Sequence, residues 1–280
     1  MIEPVLQGAN LIKEIERTTP SAGSLFVWWL GQSGFLIKSR QGLLAVDLYL
    51  SEHLTRKYEA TDRPHIRMTR SPIRGKDLHF VDLVLASHKH SDHLDPETLP
   101  DLMAASPAIL VLPEAIRDHA LALGLPAGRM VGLDVGDSVE RAGFRVRAVP
   151  AAHEGLDTDD HGRHLYLGYV VESDGRRLYH SGDSLAYEDL ADQLGPDPFD
   201  ALLLPINGRD PARGVPGNMT AAEAVDLAAR VHPRFVVPNH YDMFTFNTVS
   251  VDVFQAEARR LPRGVEPRIL LCGERWEITP

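Results

Sequence analysis

The chain has 280 residues, of which 44% are hydrophobic and 24% are charged, and its formal net charge is −10. These proportions are typical of a globular protein with a substantial core, and the length allows one large domain or two small ones. The acidic balance argues against a nucleic-acid partner, whose phosphates require clustered Lys and Arg. No apolar run is long enough to span a bilayer, so no membrane partner is expected.

The chain has a single cysteine, Cys272, so it cannot form an internal disulfide, and this predicts a reducing, cytoplasmic location. Cys272 lies in the apolar stretch 268–273, which predicts a core strand. The N-terminus carries acidic Glu3 and no long apolar stretch, so no signal peptide is predicted. Without repeats, low-complexity tracts or linkers, residues 1–280 are predicted to form a single domain.

Short apolar runs dominate the first fifty residues. The spacing of apolar residues over 5–18 predicts an N-terminal helix, and the runs 25–30, 35–37 and 42–47 predict strands of a meandering sheet. Asp47 stands at the end of the third run. Its carboxylate either fixes the orientation of a metal-binding imidazole by a hydrogen bond to the ring or caps the strand end. The sequence leaves both interpretations open.

Residues 51–80 contain seven Lys and Arg side chains, although the chain as a whole is acidic. The stretch is too polar and too often interrupted by proline to form a sheet core, so it predicts a surface excursion. Three roles remain open for it: the rim of an active site, a solvated face, or a subunit contact in a homo-oligomer.

Three histidines and two carboxylates fall within eight residues directly after the apolar run 81–86. That run predicts a buried strand, so the loop begins at a strand end. Neutral imidazole and carboxylate are ligands of borderline and hard divalent cations, and an H-x-H-x-D-H pattern between a strand and a helix is a specific metal-site signal. The candidate ligands are His88, His90, Asp92 and His93.

Further ligand-type residues follow other predicted strands. His153 comes after the alternating run 144–149, Asp183 after a hairpin arm that ends at His180, and His240 after the apolar run 235–238. A predicted hairpin joins 165–171 to 177–180 across the turn at 173–175. A lone histidine at a strand end is usually structural, so position alone does not assign these three residues to one site.

The segment His88-Lys89-His90-Ser91-Asp92-His93 resembles the signature of the metallo-β-lactamase superfamily. The resemblance implies an αββα four-layer α/β sandwich with two metal ions at one edge. It also implies that His88, His90 and His153 hold one ion, that Asp92, His93 and His240 hold the other, and that Asp183 bridges them.

Within that superfamily the chain is most similar to the L-ascorbate-6-phosphate lactonase-like hydrolases. The similarity is carried by residues 26–34, 178–184, 218–220 and 238–242 together with the metal loop. Two features depart from that group: the chain is shorter than expected, and the segment around His153 is closer to generic metal-dependent hydrolases. The departures concern the substrate and not the hydrolase chemistry.

The resemblance implies a hydrolase in which two divalent ions, Zn²⁺ or Mn²⁺ ahead of Fe²⁺, share a hydroxide that attacks a small anionic ester or lactone. Asp92 and Asp183 are the expected catalytic carboxylates, since Asp92 can carry a proton to the leaving group. Three alternatives stay open: a phosphodiesterase acting on a small phosphodiester, a diiron redox protein of the same fold, and a metal-binding protein without turnover.

An anionic substrate needs a cationic partner near the metals. Arg209 and Arg213 follow the predicted strand 201–206, and Arg163 and His164 lie between His153 and Asp183. An arginine fork can bind a phosphate or carboxylate through two hydrogen bonds. These four residues are the candidate substrate contacts, with ordinary surface salt bridges as the competing interpretation.

Overall fold

The computed structural model describes residues 1–210, 213 and 217–280, and in this part of the chain two mixed β-sheets lie face to face. The first sheet has the order β14–β1–β2–β3–β4–β5–β6. Its strands are β1 (Leu25–Gly31), β2 (Gly34–Lys38), β3 (Leu43–Val46), β4 (Leu83–Leu85), β5 (Ile109–Pro113), β6 (Met130–Leu133) and β14 (Arg275–Ile278).

The second sheet has the order β13–β12–β11–β10–β9–β8–β7. Its strands are β7 (Ser138–Arg141), β8 (Phe144–Pro150), β9 (Leu167–Ser173), β10 (Arg176–His180), β11 (Ala201–Pro205), β12 (Phe235–Asn239) and β13 (Glu266–Pro267). Strands β9 and β10 form the predicted antiparallel hairpin, while β10, β11 and β12 run parallel. Parallel strands place their carboxyl ends at one edge, so the residues after β10 and β12 meet there.

The described α-helices are α1 (Gly8–Arg17), α2 (His53–Lys57), α3 (Thr98–Ala105), α4 (Arg117–Ala122), α5 (Leu190–Leu194), α6 (Ala221–Val231) and α7 (Val251–Glu257). All except α2 lie on the outer faces of the two sheets, whereas α2 packs with Tyr49 and Phe244 in a separate small cluster. Apolar residues of α1, α3 and α4 share a core with the first sheet, and those of α5, α6 and α7 pack with the second. This order of layers confirms the predicted αββα sandwich.

Side-chain alternation along β1 shows why the first sheet is covered on both faces. Val27 and Trp29 belong to the core between the sheets, whereas Trp28 and Leu30 belong to the core beneath the outer helices. Successive side chains of a strand point to opposite faces, so a strand buried on both sides needs a continuous apolar run. The sequence of β1 meets that requirement.

The interpretation of residues 268–273 as a core strand is wrong. Leu270 and Cys272 are buried there, but the backbone turns, because Glu274 N–H donates to the Leu271 carbonyl at 2.9 Å and Gly273 has φ +79. Burial raises the pKa of the Cys272 thiol to about 12, so the thiol is protonated and inert. The strand at this end of the chain is β14. Among the described residues, no helix is both long and apolar enough to cross a membrane.

Tyr169 links the two sheets next to the histidine-rich loop. Its buried hydroxyl donates to the Ala86 carbonyl at 2.8 Å, just beyond the end of β4. Tyr179, on the neighbouring strand β10, is equally buried, but among the described residues its hydroxyl has no hydrogen-bond partner. The two tyrosines therefore differ in what removal of the hydroxyl would cost.

We expect Tyr169→Phe to lower the free energy of unfolding by about 1–3 kcal/mol, because it leaves a buried carbonyl without its donor. Tyr179→Phe is the matched control, and it should be neutral or stabilising because it removes an unsatisfied buried group. Urea unfolding of both metal-free variants measures the difference. Equal destabilisation of the two would show that the link from Tyr169 to Ala86 contributes nothing specific.

Candidate metal centre

The loop after β4 carries four of the seven predicted ligands. His88 and His93 are fully buried, whereas His90 and Asp92 are partly exposed. The backbone N–H groups of His93 and Leu94 donate to the His90 carbonyl at 2.9 and 2.8 Å, so the chain turns tightly at this point. This turn brings the side chains of Asp92 and His93 to a second group of potential ligands, although the His93 ring also lies next to the His88 ring, with 4.1 Å between the ring centres.

The other three candidate ligands come from the second sheet. His153 follows β8, Asp183 follows β10, and His240 directly follows β12. The backbone connects the two sheets here, because Leu167 N–H donates to the Ser87 carbonyl at 3.0 Å. The histidine-rich loop and the strand ends of the second sheet therefore meet at one edge of the sandwich.

Two groups of potential ligand atoms result, and within each group the atoms lie within 4.8 Å of one another. The first group consists of His88, His90 and His153, and the second of Asp92, His93, Asp183 and His240.

The Asp183 carboxylate reaches both groups. Its Oδ1 lies 3.2 Å from His93 Nε2, and its Oδ2 lies 3.5 Å from His240 Nε2 and 3.8 Å from His153 Nε2. The Asp183 oxygens thus lie near potential ligands of both groups, and the bridging role that the sequence resemblance implied stays a prediction.

The hydrogen bonding of these groups fits a cation. Among the described residues, His93 Nε2 and Asp183 Oδ1 are buried and have no hydrogen-bond partner. A buried nitrogen or oxygen of this kind is costly unless something satisfies it. Imidazole and carboxylate are the donors that Zn²⁺, Mn²⁺ and Fe²⁺ accept, so the residues present suit divalent ions.

Burial keeps the three histidines of the first group uncharged, and this prepares them to bind metal. Burial is the largest effect on His153 and lowers its pKa to about 4, and burial likewise lowers the pKa values of His88 and His90. All three imidazoles are therefore neutral near pH 7, which is the form that ligates a metal.

His93, in the second group, behaves differently. Burial also opposes a charge on His93, but Asp183, Asp47 and Asp92 outweigh this effect and raise the pKa of that imidazole.

Asp47 holds the histidine-rich loop from behind. Its carboxylate is fully buried and accepts hydrogen bonds from the Ser87 N–H and hydroxyl, both at 2.7 Å, and from His180 Nε2 at 2.9 Å. His93 Nδ1 lies 2.7 Å from Asp47 Oδ2, so Nδ1 carries a proton toward Asp47, and loss of the second proton from the ring would leave Nε2 for a metal ion. Burial alone would raise the pKa of Asp47, but His93 and His180 outweigh it, and the carboxyl pKa falls well below its usual range.

Gly182 allows Asp183 to approach this loop. Its φ is +58, and a Cβ at this position would lie 2.6 Å from the Ser87 Cβ. Any other residue would be strained by its backbone conformation and would also push Ser87 away from Asp47. The glycine in Ser181-Gly182-Asp183 is therefore a requirement of the site's geometry.

Gln32 belongs to the site, although the sequence analysis gave it no role. Its side-chain nitrogen, Nε2, lies 2.9 Å from Asp92 Oδ2 and 2.9 Å from His240 Nε2. Its backbone carbonyl accepts a hydrogen bond from the His240 backbone N–H at 3.0 Å. Gln32 sits in the turn between β1 and β2 with φ 51. Its position at a strand end, inside a segment that carried the family resemblance, was the signal that could have identified it.

A cavity of about 380 Å³ opens above the two groups of ligands. Gln32, His90, Asp92, His153 and Asp183 line its inner part. Helix α2 and the segment after it line the outer part, so part of the basic excursion over residues 51–80 forms a rim of this cavity.

The four predicted substrate contacts are engaged elsewhere, and they are absent from the described residues that line the cavity. Arg209 donates to Glu223 at 2.8 Å, and Arg213 donates to the Asn207 carbonyl and to Asn247 Oδ1, each at 3.0 Å. Arg163 donates to Asp159 Oδ2 at 2.8 Å, and His164 Nδ1 lies 2.8 Å from Asp134 Oδ1. Each of the four thus already has an acceptor within the protein.

Comparison with known proteins identifies relatives. A family model described as "Beta-lactamase superfamily domain" matches residues 60–241. A curated relative is "Probable L-ascorbate-6-phosphate lactonase UlaG" of Salmonella choleraesuis (strain SC-B67), which is 24% identical in a match covering 96% of this chain and 85% of that protein.

Two solved structures show the same fold. Igni18, described as a novel metallo hydrolase from Ignicoccus hospitalis, has a TM-score of 0.65 and 20% identity, and the match covers 91% of this chain and 99% of that one. CmlA, a diiron β-hydroxylase from Streptomyces venezuelae, has a TM-score of 0.67 and 15% identity, and the match covers 94% of this chain and 55% of that one.

We expect protein purified with excess divalent metal to contain about two ions per chain, because the ligand atoms form two groups of the kind found in two-metal sites. Elemental analysis measures the content. Asp183→Ala should lose bound metal because this carboxylate reaches both groups, whereas His79→Ala, at a surface histidine 3.4 Å from Glu16, should not. Full occupancy in Asp183→Ala would contradict the bridging position.

We expect Asp47→Ala to reduce kcat/KM by about 10- to 100-fold and to weaken metal binding, because His93 loses the acceptor that fixes its tautomer. Asp82→Ala is the control. Asp82 also accepts a backbone hydrogen bond, from Leu43 at 2.9 Å, but it lies outside the cavity, so its variant should alter stability without altering metal affinity. If Asp47→Ala keeps the wild-type metal content and the wild-type kcat/KM, the prediction is wrong and Asp47 acts only as a turn residue.

Proposed function

We propose that this chain, which belongs to the β-lactamase superfamily, is a dinuclear hydrolase that cleaves a small anionic ester or lactone. The family and the fold support metal-dependent hydrolysis in general, and the number of ions, the substrate class and the roles of single residues are our proposal. The observation that carries it is the position of Asp183 between two groups of ligand atoms at the floor of one cavity.

In this proposal His88, His90 and His153 hold one ion, Asp92, His93 and His240 hold the other, and Asp183 contacts both. When bound, two such ions supply an activated water at neutral pH and polarise the bond that it attacks. Asp47 and Ser87 keep the histidine-rich loop in place, and Gln32 fixes the orientation of Asp92 and His240.

The two carboxylates of the second group differ in access. The Asp92 side chain is 17% exposed and faces the cavity, while the Asp183 side chain is 7% exposed. We therefore assign to Asp92 the transfer of a proton to the leaving oxygen, and to Asp183 the role of a fixed ligand. The hydrogen bond from Gln32 occupies Asp92 Oδ2, which leaves Oδ1 for the proton.

The cavity volume of about 380 Å³ suits a small molecule. Lactone chemistry is supported by the printed name of the curated relative, which is said of that protein and enters here as part of the proposal. The fold is also shared with a diiron β-hydroxylase, so fold alone does not select hydrolysis.

We expect metal-loaded protein to hydrolyse lactones or carboxylic esters faster than phosphodiesters such as bis-p-nitrophenyl phosphate. Chelator-treated protein is the first control, and Asp92→Asn in loaded form is the second. Asp92→Asn should lower kcat because the amide cannot accept the proton. Turnover confined to phosphodiesters would favour the phosphodiesterase alternative, and absence of hydrolysis across the whole panel would refute the proposed function.

A further inference from the structure

The cavity above the candidate metal centre has one aromatic wall. Tyr58, His65 and Phe244 line the cavity together with Leu54, and these four residues make up the aromatic wall. All the other described residues that line the cavity carry polar side chains, and they include the candidate metal ligands. The cavity therefore presents an aromatic surface and a polar surface to the same ligand.

The rings of the aromatic wall contact one another. The rings of Tyr58 and His65 are stacked, with 4.4 Å between their centres and 26° between their planes. The edge of the His65 ring meets Phe244 at 5.2 Å, and Tyr49 packs behind Phe244 at 5.5 Å. These separations are close to the roughly 4.5–7 Å at which aromatic rings attract one another, so a further ring can join the cluster.

His65 takes part in the wall as an uncharged ring. Burial is the largest effect on this imidazole and lowers its pKa, so the ring is neutral near pH 7. His65 Nδ1 lies 2.9 Å from the Arg63 carbonyl, so Nδ1 carries the proton and donates it to that oxygen. Tyr58 and His65 are both half-buried, and part of each side chain therefore stays accessible in the cavity.

The aromatic wall is fixed in place by hydrogen bonds between distant segments. Thr245 N–H, next to Phe244, donates to the Ile66 carbonyl at 2.9 Å, and Thr55 Oγ1 of α2 donates to the His65 carbonyl at 2.8 Å. Phe244 itself is only 3% exposed. A surface that is formed in advance loses little conformational entropy when a ligand binds to it.

We propose that the aromatic wall binds an aromatic ring of the substrate while its ester or lactone bond lies at the metal centre. Such a ring removes the apolar surface of the wall from water and adds ring-to-ring contacts. A substrate made only of polar groups would leave that surface in contact with water. This inference rests on the proposed hydrolase function and narrows its substrate class to esters or lactones that carry an aromatic ring.

The test compares α-benzyl-γ-butyrolactone with α-methyl-γ-butyrolactone, which contain the same reacting bond, in metal-loaded protein. The wild type should prefer the benzyl lactone, mainly through KM. In Tyr58→Leu/Phe244→Leu we expect the ratio of the two kcat/KM values to fall about 3- to 10-fold, because two rings are lost while apolar bulk remains. A wild-type ratio near one, or an unchanged ratio in the double variant, would overturn the inference.

Matched variants separate loss of the ring from loss of stability. Tyr58→Leu alone changes a half-buried residue that follows α2 and should lower the ratio in the same direction, whereas Tyr58→Phe keeps the ring and should keep the ratio. Phe26→Leu removes a half-buried ring that is absent from the described cavity lining, and it should behave as wild type. An equal fall in Phe26→Leu and Tyr58→Leu would contradict a specific role of the wall.

Two further arms decide what a failure means. α-Cyclohexylmethyl-γ-butyrolactone should lose less than the benzyl lactone in the double variant, and an equal loss would overturn the assignment of an aromatic ring. Calorimetric binding of phenylacetate against acetate measures the ring contact without turnover. If no lactone is hydrolysed, the proposed function fails, yet tighter binding of phenylacetate that Tyr58→Leu weakens would still support the aromatic wall. Equal binding of the two acids would overturn the inference.

Discussion

The candidate centre depends on one buried carboxylate. Asp47 directly follows β3 of the first sheet. Its carboxylate binds Ser87 and His93 in the histidine-rich loop after β4, and it also binds His180 at the end of β10 in the second sheet. A lone buried carboxylate would be costly, but here each oxygen has donors and the neighbouring imidazoles favour the charged form. The same bonds orient His93 and join the two sheets, so the fold and the site share one anchor.

The hydrogen bonds of Asp47 require the histidine-rich loop and the end of β10 to lie close together. This close approach explains why particular residues stand at several positions nearby. Gly182 removes a side chain that would strike Ser87, and Tyr169 satisfies the Ala86 carbonyl just before the loop. Gln32 adds contacts at the second group of ligand atoms, where it lies against Asp92 and His240. The ligands therefore rest on a rigid shell of hydrogen bonds, and such a shell keeps ligand geometry within the narrow tolerance that metal sites require.

The resemblance of the metal loop to the superfamily signature was sufficient to predict the sandwich and the set of seven candidate ligands, and the apolar runs before them predicted the strand ends at which most of these residues lie. Strands such as β7 and β13 could not be predicted, since Ser138–Arg141 and Glu266–Pro267 are short and mostly exposed. The stretch 268–273 was misassigned because burial of Leu270 and Cys272 looks the same in a strand and in a turn. Substrate contacts were hardest, since Arg209 is engaged by Glu223, fourteen residues further along the chain, and only the fold brings the two together.

Basic side chains line the cavity, in contrast to the acidic balance of the whole chain. With a net charge of −10 the protein as a whole repels anions, but at physiological salt this repulsion is screened beyond roughly 8 Å. Lys57 and Lys89 line the cavity, together with Asp92 and Asp183 of the candidate metal centre. For the small anionic substrate that we propose, these ammonium groups would supply a short-range attraction.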